Sequence, residues 1–112
     1  MNEVFVDRIA ALSRRFAAQI DARIDAIEAA TPEHGQADLD VLAQAHRDAH
    51  HLCGVGANLG FVETGKVART VEQLLLAAVK SERQLTTDEI PRLRDGIARL
   101  RSTASVETAA AR

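Results

Sequence analysis

The sequence contains few aromatic residues and almost no cysteine. Its 112 residues include three Phe, no Trp, no Tyr and one Cys. A single cysteine cannot form an intramolecular disulfide, and three aromatics argue against a stacking platform for single-stranded nucleic acid. The 14 Lys and Arg residues are matched by 16 Asp and Glu, without the basic excess that binding to a phosphate backbone needs. We therefore expect no nucleic-acid partner.

Long apolar runs are also missing. The longest covers residues 74–79, far below the ~20 residues that span a bilayer. The first residues lack a basic segment followed by an apolar one, so no secretory signal is predicted. A chain of this length can hold one hydrophobic core, with little room for a separate catalytic domain and a cofactor fold. These absences predict a cytoplasmic protein without a membrane partner.

Apolar residues recur at helical spacing in four segments, and no segment alternates with period two. The first three predicted helices cover residues 4–30, 37–58 and 61–81, and the fourth begins after a cap at Thr87 or Asp88. The sequence Thr31-Pro32-Glu33 is typical of a helix start and predicts a short extra turn near residues 32–35. The apolar stripe of the first helix consists of Phe5, Ile9, Leu12, Phe16, Ile20, Ile24 and Ile27.

Short connections between four amphipathic helices predict an all-α, antiparallel, up-down-up-down four-helix bundle. We expect a single domain over residues 1–106. The tail at 107–112 has no apolar face and is predicted to fray.

Histidine and glycine are concentrated in one short stretch. Three of the four His and four of the six Gly lie within residues 46–65. At about 100° per residue, His50 is predicted on the flank of the second helix, beside the small residues Ala43, Gly54 and Ala57. Glycine inside a helix costs roughly 0.5–1 kcal/mol relative to alanine, so Gly54 suggests that a partner approaches closely. Tight helix packing or an early helix end would explain Gly54 equally well.

Residues 50–60, His-His-Leu-Cys-Gly-Val-Gly-Ala-Asn-Leu-Gly, resemble the signature of histidine phosphotransfer (HPt) domains, His-x-Leu-Lys-Gly followed by Leu-Gly. The resemblance implies a four-helix bundle whose exposed histidine exchanges a phosphoryl group with the aspartyl phosphate of a response-regulator receiver domain. In that register His50 is the phosphoacceptor and Gly54 lets the receiver dock. The family's usual Lys is Cys53 here, and a thiol cannot supply its charge.

Other charged residues are predicted close to His50. Because the second and third helices are antiparallel around a turn near residue 60, Arg69 and Glu72 are expected opposite His50, with Arg47 one helical turn before it. In HPt relatives a Gln near the position of Glu72 can hydrogen-bond the active histidine, and Glu72 or Gln73 is expected to do so here. The predicted docking and supporting residues are Gly54, Arg47, Ala57, Arg69 and Glu72.

The expected chemistry is that of a carrier. An exposed imidazole with its ordinary pKa of ~6.5 is mostly neutral at pH 7 and needs no strong general base. Phosphoryl transfer also needs a metal ion on the phosphate oxygens, and we expect that Mg²⁺ on the receiver domain, with no cofactor or metal bound by this chain. No ATP phosphate cradle is visible, so the sequence predicts a phosphoryl carrier rather than a kinase. Receiver domains are the expected partners, and a hybrid histidine kinase is a further candidate.

Two other interpretations remain open. A non-catalytic, degenerate HPt-like module would bind receivers through the small-residue strip without accepting phosphate. His46 lies four residues before His50, and this spacing is that of a candidate pair of metal ligands. Zinc, however, requires three or four ligands with structured spacing. His46 is predicted to pack on the flank against the third helix, and His51 to be a solvated surface residue.

Overall fold

The computed structural model describes residues 3–33 and 36–110, which form four helices and, within those ranges, no strand. The helices are α1 (Glu3–Ala30), α2 (Leu39–Asn58), α3 (Val62–Lys80) and α4 (Glu89–Ala110). Around the bundle, α1 packs on α2, α2 on α3, α3 on α4, and α4 on α1. These contacts confirm the predicted all-α four-helix bundle.

Neighbouring helices run antiparallel. Across the α2–α3 pair, the position of Gly65 lies against Ala57, close to the turn, while Glu72 contacts His50, further from it. None of the helices in the described ranges is long and apolar enough to cross a membrane.

The core is built from one apolar stripe of each helix. Phe16 begins the buried part of α1, and its ring packs 5.3 Å from the ring of Phe61. The apolar stripe of α1 has the predicted helical spacing but is buried only from Phe16 onward, because the first turns of this long helix are less covered by their neighbours. Phe5, Ile9 and Leu12 are 57%, 40% and 45% exposed. The largest fully buried side chains are Ile20, Ile24, Ile27, Leu42, Leu52, Leu75, Leu93, Leu100, Val71 and Thr64.

Both ends of α2 are closed by local interactions. The Asp38 carboxylate accepts a hydrogen bond from the Asp40 amide at 2.8 Å, so the helix begins two residues later than predicted. At the other end Gly60 adopts φ +93°, and the Phe61 amide donates to the Gly56 carbonyl at 2.8 Å. This six-to-one bond across a left-handed glycine is a Schellman motif, and it turns the chain into α3.

The predicted cap of α4 at Thr87 or Asp88 is wrong by one or two residues. Thr86 and Glu89 form a capping box, in which the Thr86 hydroxyl accepts from the Glu89 amide and the Glu89 carboxylate accepts from the Thr86 amide. Arg83 also donates to Glu89 at 2.8 Å. Of the extra turn expected near residues 32–35, residues 32 and 33 are not helical, and 34 and 35 lie outside the described residues.

The C-terminal segment is helical to Ala110, whereas the sequence suggested fraying from residue 107. The Glu107 carboxylate accepts hydrogen bonds from the amides of Thr64, at 2.6 Å, and Glu63, at 3.2 Å. These amides belong to the first turn of α3, where backbone N–H groups have no partner within the helix. Glu107, near the end of α4, therefore caps the N-terminus of α3. Residues 111 and 112 of the predicted tail lie outside the described residues.

Candidate functional site

His50 projects from the flank of α2 and contacts a carboxylate on α3. Its side chain is 71% exposed, and its Nδ1 lies 2.6 Å from Oε1 of Glu72. The antiparallel register predicted from the sequence brings these two residues together as expected, whereas Gln73 is exposed and is not the partner. A carboxylate can only accept, so the hydrogen of this bond sits on Nδ1 of His50. In the neutral ring, the second nitrogen, Nε2, then carries a lone pair on a side chain that is largely open to solvent.

His46 lies on the same side of α2, one turn before His50. Its Nε2 is 3.6 Å from the same Glu72 oxygen, and the two imidazole rings lie within 15° of parallel, with centroids 6.4 Å apart. His46 is only 20% exposed, as predicted for a residue packed on the flank against α3. No group of three His, Cys, Asp or Glu side chains in residues 3–33 and 36–110 is arranged to hold a metal ion.

Gly54 is exposed one turn after His50, and the fold itself does not require a glycine there. A Cβ built on Gly54 would meet nothing within 4 Å, and α2 continues to Asn58, so neither tight packing nor a helix end accounts for it. Ala57, also exposed, extends this bare surface toward the turn. The result is a strip of helix surface beside His50 with almost no side chains above it.

The two predicted cations, Arg47 and Arg69, differ in whether their side chains are already hydrogen-bonded. Arg47 bonds to Gln44 through Nε at 3.1 Å and Nη2 at 2.8 Å, which holds its guanidinium toward the N-terminal end of α2. Arg69 is exposed on α3, one turn before Glu72, and makes no hydrogen bond or ion pair with another described residue. Of the two predicted cations, Arg69 is therefore the one whose guanidinium is not engaged by another described residue.

Cys53 is half-buried and packs against the core, so it cannot take the position of an exposed cation. Its backbone oxygen lies 3.2 Å from where a Cβ of Gly65 would be, and the Ala57 nitrogen lies 3.4 Å away. The missing side chain at Gly65 thus lets α2 and α3 approach closely beside the site. The sequence marks Gly65 only as one of four clustered glycines, without showing which of them the packing requires.

His51 is not the solvated residue that the sequence predicted. It is half-buried between α2 and α1, with its ring centroid 6.2 Å from that of Phe16. Burial, together with the nearby Arg23 guanidinium, lowers the pKa of His51 below its usual value.

The same face holds an unpredicted ion pair between Arg23 and the buried Asp48 at 3.0 Å. The only sign of this ion pair in the sequence is that Asp48 is an acidic residue on an otherwise apolar face of α2.

An exposed imidazole held by a carboxylate on a four-helix bundle, with a bare strip beside it, is the arrangement of a phosphotransfer domain. A family model of the Hpt domain matches residues 11–103. The chain therefore belongs to the Hpt domain family, whose members take part in histidine phosphotransfer with response-regulator receiver domains in two-component phosphorelays. No curated protein and no solved structure matches this chain.

Proposed function

We propose that this chain is a phosphoryl carrier of a two-component phosphorelay and that His50 is its phosphoacceptor. The observation that carries the proposal is the 2.6 Å contact between His50 Nδ1 and Glu72 on a side chain that is 71% exposed. This contact directs the hydrogen to Nδ1 and leaves Nε2 as an accessible nucleophile. Membership of the Hpt family supplies the reaction class.

In the proposed step, the Nε2 lone pair of His50 attacks the phosphorus of an aspartyl phosphate on a receiver domain. The nitrogen–phosphorus bond forms as the bond from phosphorus to the aspartate oxygen breaks, and the aspartate leaves as a carboxylate. The Nδ1 hydrogen stays on the ring, which becomes a phosphorylated imidazolium. Glu72 stabilises this positive charge through the hydrogen bond that it already accepts. The reverse step returns the phosphoryl group to a receiver.

The surface around His50 fits a receiver as the partner. Gly54 and Ala57 leave α2 bare next to the imidazole, so another domain can bring its aspartyl phosphate up to Nε2. In this proposal Arg69 supplies the charge for the phosphoryl oxygens that the family's lysine would supply where Cys53 stands. A Mg²⁺ ion on the receiver would neutralise charge on the phosphoryl oxygens, and we propose that this chain itself binds no metal or cofactor. We further propose a cytoplasmic location and a hybrid histidine kinase as a second partner.

The test is transfer of label from a phosphorylated receiver to three forms of the protein. Wild type and a His51→Gln variant, the matched control on the adjacent residue, are expected to become labelled, and His50→Gln is not. The label should be acid-labile and base-stable, as a phosphohistidine is. Labelling of His50→Gln at the wild-type rate would show that the assigned residue is wrong.

A second candidate function is receiver binding without phosphotransfer. It is favoured by the uncharged Cys53 and by the exposed small-residue surface at Gly54 and Ala57. Such a module would bind its receiver equally well as wild type and as His50→Ala, and neither form would become labelled. Labelling of the wild type eliminates this alternative.

A further inference from the structure

His46 presents a polar atom that the proposed phosphotransfer step does not use. Its Nε2 is shielded from solvent and has no hydrogen-bond partner. Oε1 of Glu72 lies 3.6 Å from it, slightly beyond hydrogen-bonding distance. Unpaired buried polar atoms are destabilising, and a carboxylate oxygen has room for more than one donor. A small movement of either side chain would pair His46 with Glu72.

Glu72 needs such an anchor to hold His50. It is 16% exposed, and apart from its contacts with the two histidines no hydrogen bond or ion pair joins it to the described residues. The nearby cations do not bind it, since Arg47 is bonded to Gln44 and Arg69 makes no ion pair. His50 is itself mostly exposed, so packing restrains its own position little. His46, whose ring stacks on that of His50, is the half-buried group able to restrain the carboxylate.

We propose that His46 is a positioning residue: it donates its Nε2 hydrogen to Glu72 and thereby keeps the carboxylate on Nδ1 of His50. This inference rests on the proposed role of His50 as phosphoacceptor. Without His46, the Glu72 side chain visits other rotamers and His50 spends more time with its hydrogen on Nε2. In that tautomer the exposed nitrogen has no lone pair to attack phosphorus.

The test compares His46→Phe, which keeps a ring but removes the donor, with His46→Gln, whose amide N–H restores one. The ¹⁵N chemical shifts of His50 in the unphosphorylated protein report its tautomer, and label transfer from a phosphorylated receiver reports the rate. We expect wild type and His46→Gln to hold the hydrogen on Nδ1. His46→Phe should populate the other tautomer and accept phosphate about 2- to 10-fold more slowly, the effect of losing one hydrogen bond.

The proposal is overturned if His46→Phe keeps the Nδ1 tautomer and the wild-type rate, or if both variants slow equally with the tautomer unchanged. The second result would indicate a purely structural role. His46→Leu provides the same comparison if His46→Phe does not fold. If wild type itself accepts no phosphate, the proposed function fails, and the tautomer of His50 in the variants still decides the role of His46.

Discussion

Replacing Gly54 with alanine should stabilise the fold and impair the function. Position 54 is exposed inside α2, and an added Cβ would meet no atom within 4 Å. Alanine is favoured over glycine in a helix interior by about 1 kcal/mol, partly because glycine makes the unfolded chain more flexible. At about 2.1 cal/mol/K per residue, the unfolding entropy of 112 residues is about 0.24 kcal/mol/K. The melting temperature of Gly54→Ala should therefore rise by about 4 °C.

Gly65→Ala is the matched control for this stability measurement. Its Cβ would lie 3.2 Å from the Cys53 backbone oxygen, so α2 and α3 would have to shift by a few tenths of an ångström, and we expect this cost to exceed the gain in helix propensity. Thermal unfolding followed by circular dichroism should thus give opposite signs for the two substitutions, with Gly65→Ala below wild type. A Gly54→Ala variant that melts at or below the wild-type temperature would refute the reasoning, because it would show that the fold requires glycine there.

The functional half of the prediction is measured separately, by the rate of label transfer from a phosphorylated receiver. If Gly54 keeps α2 bare for the receiver, the more stable Gly54→Ala protein should accept phosphate more slowly, and a larger residue such as Gln at 54 should slow it further. An unchanged rate with Gln at 54 would remove Gly54 from the docking surface.

Three further predictions concern individual carboxylates. Glu72→Ala should slow phosphate acceptance about 10- to 100-fold in the same transfer assay, because His50 loses a charge-assisted hydrogen bond. Hydrogen bonding from Arg83 lowers the pKa of Glu89 from 4.5 to about 2. The stabilisation that the ionised Glu89 carboxylate gives the fold is therefore complete above about pH 4.5 and is lost as the pH falls toward 2. Because solvent partly screens the pair between Arg83 and Glu89, urea unfolding should show Glu89→Gln only about 1 kcal/mol less stable than wild type at pH 7. This difference should shrink below pH 4.5. Glu107→Ala should cost about 1–2 kcal/mol in the same measurement, because the first turn of α3 loses two hydrogen bonds.

The pairing of His50 with Glu72 was predictable because it depends on simple geometry. Two antiparallel helices joined by a tight turn place residues opposite each other when they lie about equally far from that turn. The glycine that makes the turn, Gly60, is recognisable in the sequence, and its φ of +93° confirms the helix reversal. The capping box between Thr86 and Glu89 could also be predicted from the sequence, since Thr-x-x-Glu is its signature.

Other features depend on contacts that no local pattern contains. Periodicity identifies the apolar stripe of α1, but it does not show that α1 extends past its neighbours and leaves Phe5 exposed. The contact of Glu107 with the start of α3 joins residues more than forty positions apart. The half-burial of His51 likewise depends on how closely α1 crosses α2 near Phe16. Each of these follows from helix lengths and packing rather than from spacing within one helix.

The most direct test of the account is to locate the phosphoryl group on the phosphorylated protein. Magnetic resonance of ¹⁵N-labelled histidine, read through coupling to ³¹P, distinguishes both the residue and the ring nitrogen. The account predicts phosphate on Nε2 of His50, with the hydrogen still on Nδ1 facing Glu72. Phosphate on Nδ1 of His50, or on His51 or His46, would contradict it.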